Sequence, residues 1–183
     1  MPRKIPPHMP LGGSGEPSGW NGGNDKMTVL LTYKAVPGHP DQIQFLFDVS
    51  ANFPYREPAG DLQFEIQRDC TVIFELDKKL NSRWSKQYYF ITGKRGYRHL
   101  YGDVSYIDDL KFSVKAKLNT GGGPADRQSF NLNIDYGQVE DAQGNWSYVP
   151  ITIDPDVGNP RPPGDRIEIT GSIVIPLVGT VDE

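Results

Sequence analysis

The sequence predicts an all-β protein: an antiparallel two-layer β-sandwich, jelly-roll-like, with about nine to ten strands. Apolar and polar residues alternate along most of residues 27–177. Successive side chains of a strand point to opposite faces, so this alternation indicates strands with one buried and one solvated face. Turn-forming residues separate the alternating runs, and helical periodicity is nearly absent.

Four predicted strands occupy the first part of the domain. Their apolar positions alternate over residues 27–33, 43–49, 62–66 and 72–76. Cys70 has the same parity as the fourth run, which predicts a small core residue rather than a reactive thiol. It is the only cysteine in the sequence, so an intramolecular disulfide is excluded.

The middle of the chain predicts a β-hairpin and a short helix. Residues 84–92 are β-rich, residues 93–96 form a tight-turn signal, and residues 97–101 would return as the second strand. Residues 104–110 carry apolar side chains at helical spacing, which predicts one or two helical turns.

The clearest alternation lies in the second half of the chain. Residues 110–118 and 130–136 form two predicted strands joined by a glycine-rich loop, and residues 146–153 form a third. A proline-rich loop over residues 154–164 leads to the last predicted strand. That strand has isoleucines of matching parity at Ile167, Ile169, Ile173 and Ile175.

Residues 1–25 predict a flexible arm, and residues 26–183 a single β-sandwich domain. The arm is rich in Pro and Gly and has too little apolar surface to offset its ordering entropy. Ile5, Met9, Leu11 and Trp20 are exceptions, so docking on the domain or on a partner subunit stays open. Because no secretory signal or long apolar run is present, we expect a soluble, cytoplasmic protein without membrane insertion.

A cationic, aromatic segment is the first candidate site. Residues 78–98 contain seven cations and no carboxylate, although the whole chain has a net charge of −4. Cations beside aromatic rings suit an anionic ligand such as an acidic glycan or a nucleic acid. The predicted contact residues are Arg83, Trp84, Lys86, Tyr88, Lys94, Arg95, Tyr97 and Arg98. The alternative is a solvated hairpin whose cations keep a sheet edge soluble.

A second candidate site lies in the loop after residue 153. Asp154 and Asp156 could both reach a hard cation such as Ca²⁺, and Asn159 could add a carbonyl ligand. The alternative is that these aspartates bond to backbone N–H groups of the turn. Apart from this possible calcium, we expect no cofactor. The histidines lack metal-ligand spacing, and no phosphate-loop, dinucleotide or nucleophile-elbow motif is present.

Residues 150–160, with the sequence Pro-Ile-Thr-Ile-Asp-Pro-Asp-Val-Gly-Asn-Pro, also resemble a segment near the C-terminus of small uncharacterised bacterial β-rich proteins. The resemblance implies a bacterial origin and brings no catalytic or binding residue with it.

These observations favour a non-catalytic binding module that uses the positive hairpin as its contact surface. A structural, self-assembling protein is the alternative, in which the hairpin of one subunit meets carboxylates near Asp154 or Asp135 of another in a homo-oligomer. The third class is an enzyme acting on glycans or nucleotides, which would need a pocket that gathers carboxylates. The sequence leans against an enzyme.

Overall fold

The computed structural model describes residues 9–11, 15–87, 89–95, 100–119, 127–153, 156–158 and 174–176. These residues form thirteen strands and one 3₁₀ turn. The strands are β1 (Met9–Pro10), β2 (Lys26–Val36), β3 (His39–Ala51), β4 (Gln63–Glu65), β5 (Cys70–Leu76), β6 (Ser82–Trp84), β7 (Ile91–Arg95), β8 (Tyr101–Asp108), β9 (Lys111–Ala116), β10 (Arg127–Glu140), β11 (Trp146–Ile153), β12 (Asp156–Gly158) and β13 (Val174–Pro176), and the 3₁₀ turn is Lys78–Leu80. The all-β prediction is confirmed.

The strands form two sheets. Sheet A is seven-stranded and contains β1, β7, β10, β12 and β4 in that order, with β6 and β11 also paired to β10. Sheet B is six-stranded, in the order β13-β3-β2-β5-β9-β8. Most neighbours are antiparallel, and the exceptions are the parallel pairs β2–β5 and β4–β12. The two-layer prediction is therefore also confirmed, with several short strands beyond the nine or ten expected.

Aromatic rings fill the space between the sheets. Phe74 of β5 contacts two rings of sheet A, with centroid distances of 5.7 Å to Phe64 and 6.1 Å to Phe130. Within sheet B, Phe74 stacks on Phe112 at 4.9 Å. All four side chains are at most 1% exposed. The alternating residues of β5 and β9 thus provide the apolar face that the sequence pattern predicts.

Strand β10 organises sheet A. One of its edges pairs with β11. The other edge pairs with β7 over residues 129–132 and with β6 over residues 134–136. Between β6 and β7, the described residues 85–87, 89 and 90 lie outside the strands of the sheet; we call this segment the 85–90 loop. This loop places side chains beside the turn that joins β8 to β9.

The predicted hairpin over residues 84–101 is wrong. Strand β7 belongs to sheet A, whereas β8 belongs to sheet B and pairs with β9. The predicted helical turns over residues 104–110 are also wrong, because most of that segment lies in β8. Irregular register between β8 and β9 breaks the alternation, so the apolar spacing there imitates a helix.

The described part of the predicted arm lies against the domain. Strand β1 pairs with β7, and Leu11 beside it is buried. Trp20 is partly buried, its Nε1 donates a hydrogen bond of 3.1 Å to the Ala116 carbonyl, and Lys115 Nζ lies 4.6 Å from its ring centroid. These described residues therefore do not form a flexible arm that is free of contacts with the domain. The docking alternative does, because Leu11 and Trp20 supply the apolar surface that the rest of the segment lacks.

Two further expectations concern the chain's end and its relation to membranes. Strand β13 pairs with β3, which places a strand where the last one is predicted, while Ile167, Ile169 and Ile173 lie outside the described residues. The described residues include no helix that is long and apolar enough to span a membrane.

Candidate functional site

The structure describes the predicted contact residues to different extents. The side chains of Arg83, Trp84 and Lys86 are described, and only the backbone of Lys94 and Arg95, within β7. The remaining contact residues lie outside the described part of the chain, and they are Tyr88, Tyr97 and Arg98.

Trp84 does not form part of a contact surface. Its side chain is 1% exposed, and its ring lies 4.8 Å from that of Phe112 in the core. Its Nε1 donates a hydrogen bond of 2.9 Å to the Leu110 carbonyl, so its polar atom is satisfied within the domain. Strand β6 alternates, with Ser82 and Trp84 buried and the intervening residue exposed. The prediction of Trp84 as a ligand contact is therefore corrected, because the alternation turns its indole inward.

Lys86 lies on the surface within a compact group of polar side chains. Its Nζ is 2.9 Å from Asp109 Oδ1, and the Tyr106 hydroxyl donates a hydrogen bond of 2.6 Å to the same oxygen. Lys86 Nζ also lies 4.8 Å from the Tyr106 ring centroid. These contacts place the ammonium group beside the turn that follows β8.

The ionisation of Lys86 and Asp109 reflects this geometry. The hydrogen bond to Asp109, together with the Tyr106 hydroxyl, raises the pKa of Lys86. The hydrogen bonds from Tyr106 and Lys86 lower the pKa of Asp109, and the positive charge of Arg83 lowers it further. Both groups therefore stay charged across the physiological pH range.

Arg83 forms a second group of contacts on the exposed face of β6, and its charge acts on Asp109 of the first group. Its Nε is 3.3 Å from Asp135 Oδ2, directly across the β6–β10 ladder, and its guanidinium carbon lies 4.0 Å from the Tyr148 ring centroid. The contact with Asp135 is made within one chain, whereas the assembly alternative places it between subunits. We call the group the β6 cluster, and its members are Arg83, Lys86, Tyr106, Asp109, Asp135 and Tyr148.

The residue types of the β6 cluster suit a ligand that carries phosphate groups and a planar ring. Arg83 and Lys86 are both charged and ion-paired, and each can exchange its carboxylate partner for phosphate oxygens, which accept charge-assisted hydrogen bonds. Tyr106 and Tyr148 are 46% and 37% exposed, so each ring offers surface on which a planar base can stack. Sequence reasoning did not connect Tyr106, Asp109 and Tyr148 with the two cations, because only the fold brings them together.

The predicted calcium site cannot be built from the described residues. Asp154 and Asn159 lie outside them, and of Asp156 only the backbone is described, within β12. Among the described side chains, no three His, Cys, Asp or Glu residues form a group that could hold a metal ion. Calcium at Asp154, Asp156 and Asn159 stays a prediction.

Comparison with known proteins adds an independent finding. The sequence family described as "predicted novel nucleotide synthetase" matches residues 23–163, a span that contains the whole β6 cluster. The chain has no match among curated proteins. Because a synthetase is an enzyme, the expectation of a non-catalytic binding module is wrong, and so is the leaning against an enzyme. The third class, a nucleotide-active enzyme, agrees with the family. Since the match covers more than half of the chain, this protein belongs to the family of predicted novel nucleotide synthetases.

Proposed function

We propose that this protein is a nucleotide-active enzyme that uses a nucleoside triphosphate to form a nucleotide product. The observation that carries the proposal is the family match over residues 23–163. The match covers strands from both sheets, so the activity belongs to the sandwich rather than to a short appended motif.

The triphosphate binds with its phosphates at the β6 cluster. Lys86 and Arg83 lie on an exposed surface, and each is held by a carboxylate 2.9 Å or 3.3 Å away. A polyphosphate carries more negative charge than one carboxylate, so it competes well for both cations. The neighbouring Tyr106 and Tyr148 rings support this placement, because stacking on an aromatic ring contributes about 1–3 kcal/mol per base.

The two carboxylates of the cluster have a role once the phosphates bind. Phosphates that take over Lys86 and Arg83 leave Asp109 and Asp135 without their cationic partners. Mg²⁺ is commonly bound by one or two carboxylates together with substrate phosphates. Asp109 and Asp135 are then the carboxylates of the β6 cluster that are available to a divalent cation arriving with the nucleotide.

The activity is tested by incubating the full chain with ATP, GTP, CTP and UTP, singly and in pairs, with Mg²⁺ or Mn²⁺. Products are separated by chromatography and identified by mass, while pyrophosphate and phosphate are assayed separately to show which bond is cleaved. We expect a new nucleotide product that requires the metal ion. If all four triphosphates survive unchanged and none binds in calorimetry, the proposed function is wrong.

The placement is tested by substitution. Lys86→Ala removes a charge-assisted hydrogen bond to phosphate worth about 1.5–3 kcal/mol, so triphosphate binding weakens by roughly ten- to a hundredfold. Lys34→Ala is the matched control, because Lys34 Nζ is also 2.9 Å from an aspartate, Asp61, but lies on β2 in sheet B. If the two variants bind the triphosphate equally well, the phosphates do not bind at the β6 cluster.

A further inference from the structure

The 85–90 loop leaves and rejoins sheet A at a single residue of β10. Ser85 N donates a hydrogen bond of 2.9 Å to the Asn133 carbonyl, and Asn133 N donates one of 2.9 Å to the Phe90 carbonyl. Lys86 lies within the excursion, one residue after its first anchor. The two ends of the loop are therefore tied to the backbone of one residue, and Asn133 determines where the loop begins and ends.

The Asn133 side chain makes a second set of contacts. Its Nδ2 donates to the Tyr89 carbonyl at 3.0 Å and to Thr92 Oγ1 at 3.2 Å. Its Oδ1 accepts a hydrogen bond of 3.0 Å from Thr152 Oγ1. Asn133 is 3% exposed, so water cannot replace these partners cheaply. Both amide N–H groups and the amide oxygen are used, which fixes the orientation of the side chain.

Tyr89 has a strained backbone at the far end of the loop. Its φ angle is 59°, in the left-handed region, where a side chain with a Cβ atom costs roughly 1–2 kcal/mol. Its side chain is 48% exposed, so packing of the ring does not offset much of this cost. The bond from Asn133 Nδ2 to the Tyr89 carbonyl holds the strained conformation. A strained residue retained by a buried network is typical of functional sites.

We infer that Asn133 is a positioning residue: by fixing the 85–90 loop, it holds Lys86 beside Asp109 and Tyr106, in the place where the nucleotide phosphates bind. The assignment of Lys86 to phosphate rests on the proposed function. The anchoring of the loop by Asn133 does not, because it depends only on the hydrogen bonds that Asn133 makes with Ser85, Tyr89 and Phe90.

The test follows the titration of Lys86 by NMR, with its signal assigned from Lys86→Arg. In Asn133→Ala, the loop loses its side-chain bonds and Tyr89 relaxes, so the pKa of Lys86 falls toward the ordinary lysine value. Asn131→Ala is the control: Asn131 is another buried asparagine of β10, and its amide oxygen has no hydrogen-bond partner among the described residues, so the Lys86 titration stays unchanged. Tyr89→Gly, added to Asn133→Ala, removes the backbone penalty and restores the raised pKa.

The kinetic readout separates positioning from general damage. In Asn133→Ala, the triphosphate KM rises about as much as in Lys86→Ala, with little change in kcat, because a binding contact has been displaced. If Asn133→Ala does not fold, Asn133→Ser carries the same test, because its hydroxyl is too short to reach the Tyr89 carbonyl.

The outcomes distinguish the two proposals. A folded Asn133 variant with an unchanged Lys86 titration overturns the positioning role, whatever the activity. A shifted titration in a protein that neither binds nor converts any triphosphate supports the positioning role and refutes the proposed function.

Discussion

The contact between the two sheets is most directly tested at Phe74. Phe74→Ala removes a ring that is 1% exposed and lies 5.7 Å from Phe64 and 6.1 Å from Phe130 across the sandwich. Such substitutions cost about 3–5 kcal/mol, from lost burial and from the cavity that remains. We expect the upper part of this range, because the cavity walls are rigid rings from both sheets, which cannot move together to close it.

The assay is thermal unfolding followed by circular dichroism. In a chain of this size each kcal/mol lowers Tm by about 2–4 °C, so a loss of about 4–5 kcal/mol in Phe74→Ala should lower it by roughly 8–20 °C. Tyr148→Ala is the control, because Tyr148 is 37% exposed and its contact with Arg83 contributes about 0.5–1 kcal/mol. If the two variants lose the same small amount of stability, Phe74 does not join the sheets and the described packing is incorrect.

Two further predictions concern ionisable groups. Burial, with smaller contributions from Asp25 and Asp69, raises the pKa of Cys70 to about 12. The native protein should therefore resist a thiol reagent at pH 8 and react only after unfolding. Rapid reaction of the folded protein would show that Cys70 is accessible. Asp77 is partly buried, which opposes ionisation, but its hydrogen bonds from Lys79 N and the Thr32 hydroxyl prevail and lower its pKa below the ordinary 3.8. Its ionised form therefore stabilises the fold fully above pH 3.8, and this stabilisation is lost as the pH falls through the lowered value. Asp77→Ala should cost about 1 kcal/mol in urea unfolding at pH 7 and progressively less below pH 4; an equal cost at both pH values would contradict this.

The alternation of residue types predicts the strands well where burial is one-sided. In β5 and β9 every second residue is buried, as the pattern indicates, because a regular ladder preserves the period of two. In strand β8 burial does not follow this alternation. It is the edge strand of sheet B, its register slips twice against β9, and Tyr106 and Ile107 are both exposed. Edge position and irregular pairing are tertiary properties that a local pattern does not encode.

The candidate site was only partly predictable for a related reason. Lys86 and Arg83 stand out in the sequence as cations without nearby carboxylates, and the structure places both on the surface. Their partners Asp109 and Asp135 come from distant parts of the chain, the β8–β9 turn and β10, which only the fold brings beside the two cations. Trp84 could not be distinguished from an exposed ring by composition. Its parity relative to Arg83 was the one signal that it faces the core.

The late position of β10 in the chain has a consequence for biosynthesis. Five of the six strands of sheet B are complete by residue 116, whereas β6 and β7 meet their shared partner only when residues 127–140 have been made. We therefore expect most of sheet B to be synthesised before sheet A can form, with its apolar face uncovered until β10 emerges. Exposed surfaces of this kind recruit chaperones and promote aggregation. A nascent chain stalled before residue 127 should be insoluble, even though most of its strands have already been synthesised.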